Sequence, residues 1–293
     1  MDIVLQQLEP LLAALRPHLT PITAQLPASI ANPISDLITP VCYNTLILKL
    51  DPASSPACTK LALSKAIGVG IITLSTIIKI PQIIKLLNSG SARGVSFPSY
   101  ALETAGYLCT LAYNFRSGNP ISTYGEIGLI AVQNVVIAVL ILHYSGKDMW
   151  AAAFVPVVAG ALYALFNEGM VDPKLMGYLQ AATIPLTLAS KVPQIITVAR
   201  NKSTGNLSAF AVFNYLFGSL ARVFTTLAEV EDPLILYGFL GGAFLNFVLA
   251  AQMLWYWNSG KKLGAGTPAK KRYTGPADGR SLAKGKGAPK KKG

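Results

Sequence analysis

The sequence predicts an all-α polytopic membrane protein, with seven transmembrane helices arranged as two three-helix repeats joined by an inversion-linker helix. Three observations lead there. Charged residues make up 13% of the 293-residue chain and hydrophobic residues 52%, whereas a soluble domain carries about a quarter charged residues. Seven apolar runs approach the roughly 20 residues that a helix needs to cross a hydrocarbon core. The chain also matches itself, ungapped, at an offset of 112 residues. The runs do not alternate between apolar and polar residues, which argues against a membrane β-barrel; helices satisfy their backbone groups within each span.

Residues 1–61 are expected to form a segment outside the membrane. Ile3–Leu15 has apolar residues at helical spacing but is too short to span, and it lacks the positive flank of a signal peptide. It reads as an amphipathic helix at the membrane interface. Pro17–Pro56 is rich in Pro, Ser and Ala and reads as loop with short helical pieces. Repeat 1 occupies residues 62–145, with spans Ala66–Leu87, Ser96–Phe115 and Ile121–His143. The linker region, 146–170, holds the span Met149–Phe166. Repeat 2 occupies 171–257, with spans Leu175–Ala199, Leu207–Leu227 and Pro233–Trp257. A basic tail, 258–293, follows.

Basic residues near membrane ends favour the cytosolic side. Lys85 and Arg93 follow span one, Arg200 and Lys202 follow span five, and the tail holds eleven Lys/Arg against Asp278 alone. The loop after span six instead carries Glu229, Glu231 and Asp232. The expected topology is therefore an N-terminus on the lumenal side and a cytosolic tail. The net charge of +12 is mostly that tail. Only Tyr273 interleaves its lysines, so no nucleic-acid partner is expected. Lys290 and Lys291, fourth and third from the last residue, match a dilysine retrieval signal read by coat proteins, which points to the endoplasmic reticulum membrane. Cys42 and Cys58 both fall in the lumenal segment, where an oxidising compartment would allow a disulfide; unpaired thiols are the alternative.

The internal match falls on polar residues and prolines. Lys79-Ile80-Pro81-Gln82-Ile83-Ile84 aligns with Lys191-Val192-Pro193-Gln194-Ile195-Ile196, Gly106 and Leu108 with Gly218 and Leu220, and Asn134 with Asn246. Three spans in each repeat, with one span between, give two units of the same orientation related by an axis along the membrane normal. The two Pro-Gln dipeptides at the cytosolic ends of spans one and five resemble the PQ-loop family, which includes the SWEET sugar transporters and cystinosin-type exporters. Within it the resemblance is closer to a branch that shares Cys42-Tyr43, Leu63-Ser64-Lys65, Tyr124-Gly125-Glu126, Gly218-Ser219-Leu220-Ala221-Arg222 and Asp232-Pro233. The resemblance covers about Cys42 to Asn258. It implies an endoplasmic reticulum protein needed for use of dolichyl-phosphate-mannose and dolichyl-phosphate-glucose in lumenal glycosylation and GPI-anchor synthesis.

Pro81-Gln82 and Pro193-Gln194 are expected to be hinges for alternating access, or else fixed kinks. Lys79 and Lys191 lie about 12 Å inside the cytosolic end, where an ionisable residue is costly and points to function. Glu103 is placed to pair with Lys79, but its counterpart in repeat 2 is Tyr215. An anionic headgroup could therefore be the partner of Lys191. Arg222 and Glu126 could form a lumenal gate or simply neutralise one another. The resemblance to SWEET transporters implies that Asn134 and Asn246 line a sugar pocket, with helix–helix hydrogen bonding as the alternative. These side chains, Lys79, Glu103, Asn134, Lys191, Arg222 and Asn246, are the candidate substrate contacts.

No enzyme, metal or cofactor is expected. His18 and His143 stand apart, and no nucleophile–base arrangement, metal-ligand spacing or phosphate-binding glycine loop is present. The function expected from sequence is translocation of dolichyl-phosphate-linked monosaccharides across the bilayer. The alternatives are an accessory protein that presents these lipids to transferases and a transporter of a small soluble solute.

Overall fold

A computed structural model describes residues 2–189, 191–202 and 209–257. The N-terminal segment forms α1 (Asp2–Ala24), α2 (Ala28–Ile38), the single turn α3 (Pro40–Tyr43) and a wide π-type turn at Asn44–Leu48. It has a small core of its own, in which Ile38, Cys42 and Cys58 are buried. Cys42 and Cys58 are joined by a disulfide, which ties the segment to the first turn of the next helix. Helix α1 turns its polar side inward. Arg16 donates from Nε to the Leu50 carbonyl at 3.0 Å and from Nη2 to Glu9 at 2.8 Å, while Leu11, Leu15 and Ile22 are exposed. That arrangement suits a helix whose outer face meets lipid rather than water.

The two repeats are built alike. The first comprises α4 (Pro56–Ser75), the short α5 (Ile80–Ser89), α6 (Phe97–Arg116) and α7 (Gly125–Tyr144). After α8 (Asp148–Phe166) the second comprises α9 (Pro173–Ala189), the short α10 (Val192–Asn201), α11 (Ala209–Glu229) and α12 (Pro233–Trp255). Proline sits in the first turn of α4, α5, α6, α10 and α12, where its missing N–H has no intrahelical partner to lose. Asp232 caps α12 by accepting from the Leu234 N–H at 2.8 Å. The equivalence reaches the backbone: α5 and α10 both end in a left-handed residue, Gly90 and Lys202, 112 positions apart.

Packing follows the same symmetry. In repeat 1, α7 packs against both α4–α5 and α6; in repeat 2, α12 packs against both α9–α10 and α11. The repeats meet along two seams, α4 with α11 and α6 with α9. These seams exchange under the repeat, since α4 corresponds to α9 and α6 to α11. Helix α8 lies outside the ring against α6 and α7, held by Phe97–Phe154 and Phe115–Phe166 ring contacts with centroids 5.4 and 5.0 Å apart.

Among the described residues, five stretches are long and apolar enough to cross a membrane by themselves: Pro56–Ser89, Gly125–Tyr144, Asp148–Phe166, Ala211–Glu229 and Pro233–Trp255. The expected count of seven is therefore not reached on length and composition. Helix α6 carries Glu103, Asn114 and Arg116, and α9 is 17 residues long to Ala189. Both line the seam between repeats, where Asn114 and Gln180 are buried. The outward faces elsewhere are apolar, with Leu74, Val132, Val157 and Phe244 all exposed.

A loop closed over 16 residues restricts the unfolded segment by about 3 kcal/mol. Cys58→Ser should therefore speed limited proteolysis between Pro17 and Pro56 while leaving the helices from α6 onward resistant. Unchanged cleavage in that stretch would show that the bridge contributes nothing.

Candidate functional site

Each repeat opens with a helix broken ahead of its Pro-Gln pair. Proline lacks an N–H and its ring excludes the carbonyl four residues back, so Pro81 cannot continue the helix that precedes it. The chain tightens into a turn at Thr76–Lys79, with i→i−3 bonds such as Ile80 N–H to the Ile77 carbonyl at 3.2 Å. Lys79 then caps α5, its carbonyl accepting from the Gln82 and Ile83 N–H groups at 3.0 and 3.1 Å. Lys191 occupies the same place ahead of α10, with φ −93° and ψ −24° against −99° and −6° at Lys79. The breaks thus precede the prolines by two residues, and Pro81 and Pro193 sit in the first turns of the helices that follow. Gln82 is half-buried and Gln194 exposed.

What fills the breaks differs. In repeat 1, Gln133 of α7 accepts from the Lys79 N–H at 2.9 Å and donates to the Ser75 carbonyl at 2.8 Å. One buried side chain bridges both sides of the break. Its counterpart in repeat 2 is Leu245, and there the Lys191 N–H closes a local turn to the Leu188 carbonyl at 3.1 Å. Repeat 2 also has a second proline, Pro185, within α9 at the position of Thr73.

The lysine side chains differ in the same way. Lys79 Nζ lies 3.0 and 3.2 Å from the two Glu103 oxygens, and the Tyr107 hydroxyl donates to Glu103 at 2.9 Å. Lys191 Nζ lies over the Tyr215 ring at 4.7 Å, and no described carboxylate is within ion-pair distance of it. Tyr215 stands where repeat 1 has Glu103, so a carboxylate–ammonium pair is replaced by a weaker cation–ring contact. The two asparagines are buried on equivalent helices. Asn246 donates to the Tyr215 carbonyl at 3.0 Å, whereas Asn134 is fully buried and neither of its amide atoms has a described partner.

At the opposite end from the Pro-Gln pairs, α4 and α11 are joined by charge. Arg222 forms an ion pair with Glu126 and donates to the Ser122 carbonyl at 3.1 Å. Lys65 Nζ lies 2.6 Å from Glu229, which also accepts from Ser122 at 3.0 Å and Ser64 at 2.5 Å. The Glu229 side chain is 2% exposed. Gly68 lets this approach happen: a Cβ there would lie 2.4 Å from the Ser122 carbonyl oxygen. Arg222, a candidate substrate contact in the sequence, lies in this cluster, paired with Glu126, and its Nε has no described hydrogen-bond partner. Sequence reading missed Lys65, Glu229 and Gln133. The available signal was an ionisable or amide residue in one repeat facing Gly177, Ser117 or Leu245 in the other. Lys290 and Lys291 lie outside the described residues.

A family profile described as PQ loop repeat matches residues 63–123 and 175–235, which are the two broken-helix units. The chain carries two PQ-loop repeats. The chain is 29% identical over 179 residues to solute carrier family 66 member 3 of Homo sapiens, a match covering 61% of this chain and 87% of that protein. No solved structure matches it.

A buried ion pair loses most when one partner is removed, because the other charge is left uncompensated. Glu229→Gln should lower unfolding stability by about 3 kcal/mol, read as a fall in melting temperature in detergent. Lys65→Met with Glu229→Met should recover most of that loss. A single variant melting with wild type would show that the pair does not hold the seam.

Proposed function

We propose that this PQ-loop protein moves dolichyl-phosphate-linked monosaccharides across the endoplasmic reticulum membrane, with Lys191 receiving the phosphate. One observation carries the reading: Lys191 is an ammonium at a helix break whose only described side-chain contact is an aromatic ring, while its counterpart Lys79 is neutralised by Glu103. An ammonium held away from bulk water without a carboxylate favours an anionic ligand. A phosphate diester with one negative charge meets that need, and the isoprenoid chain can remain in lipid. The sequence resemblance to the mannose-P-dolichol utilization defect 1 protein supports this cargo and the reticulum as its location. In this reading the Lys65–Glu229 end is lumenal, as the acidic loop at Glu229–Asp232 favours, and the Pro-Gln end is cytosolic.

A second reading is a transporter of a small soluble solute, favoured by the similarity to a protein named as a solute carrier. The two differ in whether cargo includes a lipid chain. The test is transfer of a short-chain dolichyl-phosphate-mannose analogue between leaflets of liposomes holding only this protein. The expected result is protein-dependent, saturable transfer that Lys191→Ala reduces roughly tenfold or more, the size of a lost hydrogen bond to a charged group. Transfer of free mannose phosphate but not of the lipid would favour the second reading. Lipid binding without transfer would move the role to presentation of these lipids to lumenal transferases.

A further inference from the structure

The seams α4–α11 and α6–α9 are counterparts under the 112-residue offset, yet among the described residues buried ion pairs latch only the first. Lys65, Glu229, Arg222 and Glu126 join α4, α7 and α11 at one end of the first seam. Their counterparts at the second are Gly177, Ser117, Thr110 and Gly238, none of which can carry a charge. A Cβ on Gly177 would meet nothing within 4 Å, so the position equivalent to Lys65 has room for a side chain. Ser117, which stands where the latch has Glu229, lines an open cavity of about 360 Å³ between the end of α6 and the α11–α12 connection, with Asn119, Glu231, Asp232 and Pro233.

The geometry points to the α6–α9 seam as a lateral portal for the polyisoprenoid chain of a lipid-linked substrate, with the α4–α11 seam remaining shut. The inference rests on the proposed lipid-linked cargo. A long apolar chain does not enter water, so a headgroup crossing between the repeats must trail its chain through one seam. Parting α4 and α7 from α11 would separate two buried ion pairs and leave four uncompensated charges. Parting α6 from α9 separates no counterpart of those pairs; the link from α6 to repeat 2 beside it is a hydrogen bond from the Tyr113 hydroxyl to Asp232 at the start of α12. Helix α8 moves with α6, to which Phe97–Phe154 and Phe115–Phe166 hold it. It carries an apolar groove of about 290 Å³ along Ala159, Leu162, Tyr163 and Phe166, a surface against which an emerging chain can lie.

The test is photolabelling of the full chain in phosphatidylcholine nanodiscs with a polyisoprenyl phosphate that carries a diazirine on its first isoprene units. Labelled residues are mapped by mass spectrometry. The expected result is label in α6 and α9 severalfold above α4 and α11. The double variant Gly177→Lys with Ser117→Glu, which installs the Lys65–Glu229 pair in the second seam, should remove it. Label concentrated on α4 and α11, shared equally, or retained in the double variant would overturn the portal while leaving lipid-linked cargo standing. Label at neither seam above that from a diazirine phosphatidylcholine would overturn the portal and the cargo together. If the double variant does not fold, the wild-type pattern decides among the same outcomes.

Discussion

A helix broken inside a bilayer frees backbone donors and acceptors that no water is at hand to satisfy, and this chain breaks two. Much of its architecture answers that constraint. The prolines force the breaks, local turns recover part of the lost hydrogen bonding, and helices α7 and α12 pack against the broken segments. In repeat 1 the remaining groups are met by a side chain, Gln133, which bonds the Lys79 N–H and the Ser75 carbonyl. In repeat 2 the chain closes on itself through Lys191 and Leu188. The first break is thereby fixed to its neighbour, and the second, closed locally by Lys191 among the described residues, has a further proline upstream.

This asymmetry runs through the charged residues as well. Repeat 1 neutralises its lysine with Glu103 and Tyr107, while repeat 2 sets Lys191 against a ring. One seam is held by two buried ion pairs, and its counterpart carries glycine, serine and threonine instead. Duplication supplied the symmetric frame, and substitutions at a few positions divided the labour between the halves. One half pairs its lysine with a carboxylate and one seam carries the buried ion pairs, while the other half sets its lysine against a ring. A carrier of a long-tailed lipid needs such a division, since a headgroup site must open without the molecule dissociating.

Much of this was legible in the residues. The 112-residue match located the equivalent helices, and the Pro-Gln pairs located the breaks to within two residues. The pairing of Lys79 with a carboxylate followed from helical depth, since only Glu103 lay at the same level. Other features were hidden for a physical reason. Gln133 is one amide in a long apolar run, and its role depends on the rotation of α7 about its axis, which periodicity of a uniformly apolar helix does not reveal. Lys65 and Glu229 sit at the ends of two apolar runs 164 positions apart, where each alone reads as a membrane-boundary charge. The seven expected spans are not all confirmed by length and composition: α6 carries Glu103, Asn114 and Arg116, as a helix lining a seam can, and the described part of α9 is 17 residues long.

The central claim is that repeat 2 binds an anion because it lacks the carboxylate that repeat 1 has. Tyr215→Glu restores that carboxylate at the position equivalent to Glu103. The most direct measurement is equilibrium binding of radiolabelled dolichyl-phosphate-mannose to the purified variant and to wild type. The account predicts that Tyr215→Glu folds normally and binds roughly tenfold more weakly or worse, because Lys191 is then neutralised within the protein. Binding equal to wild type would contradict it and would place the headgroup elsewhere.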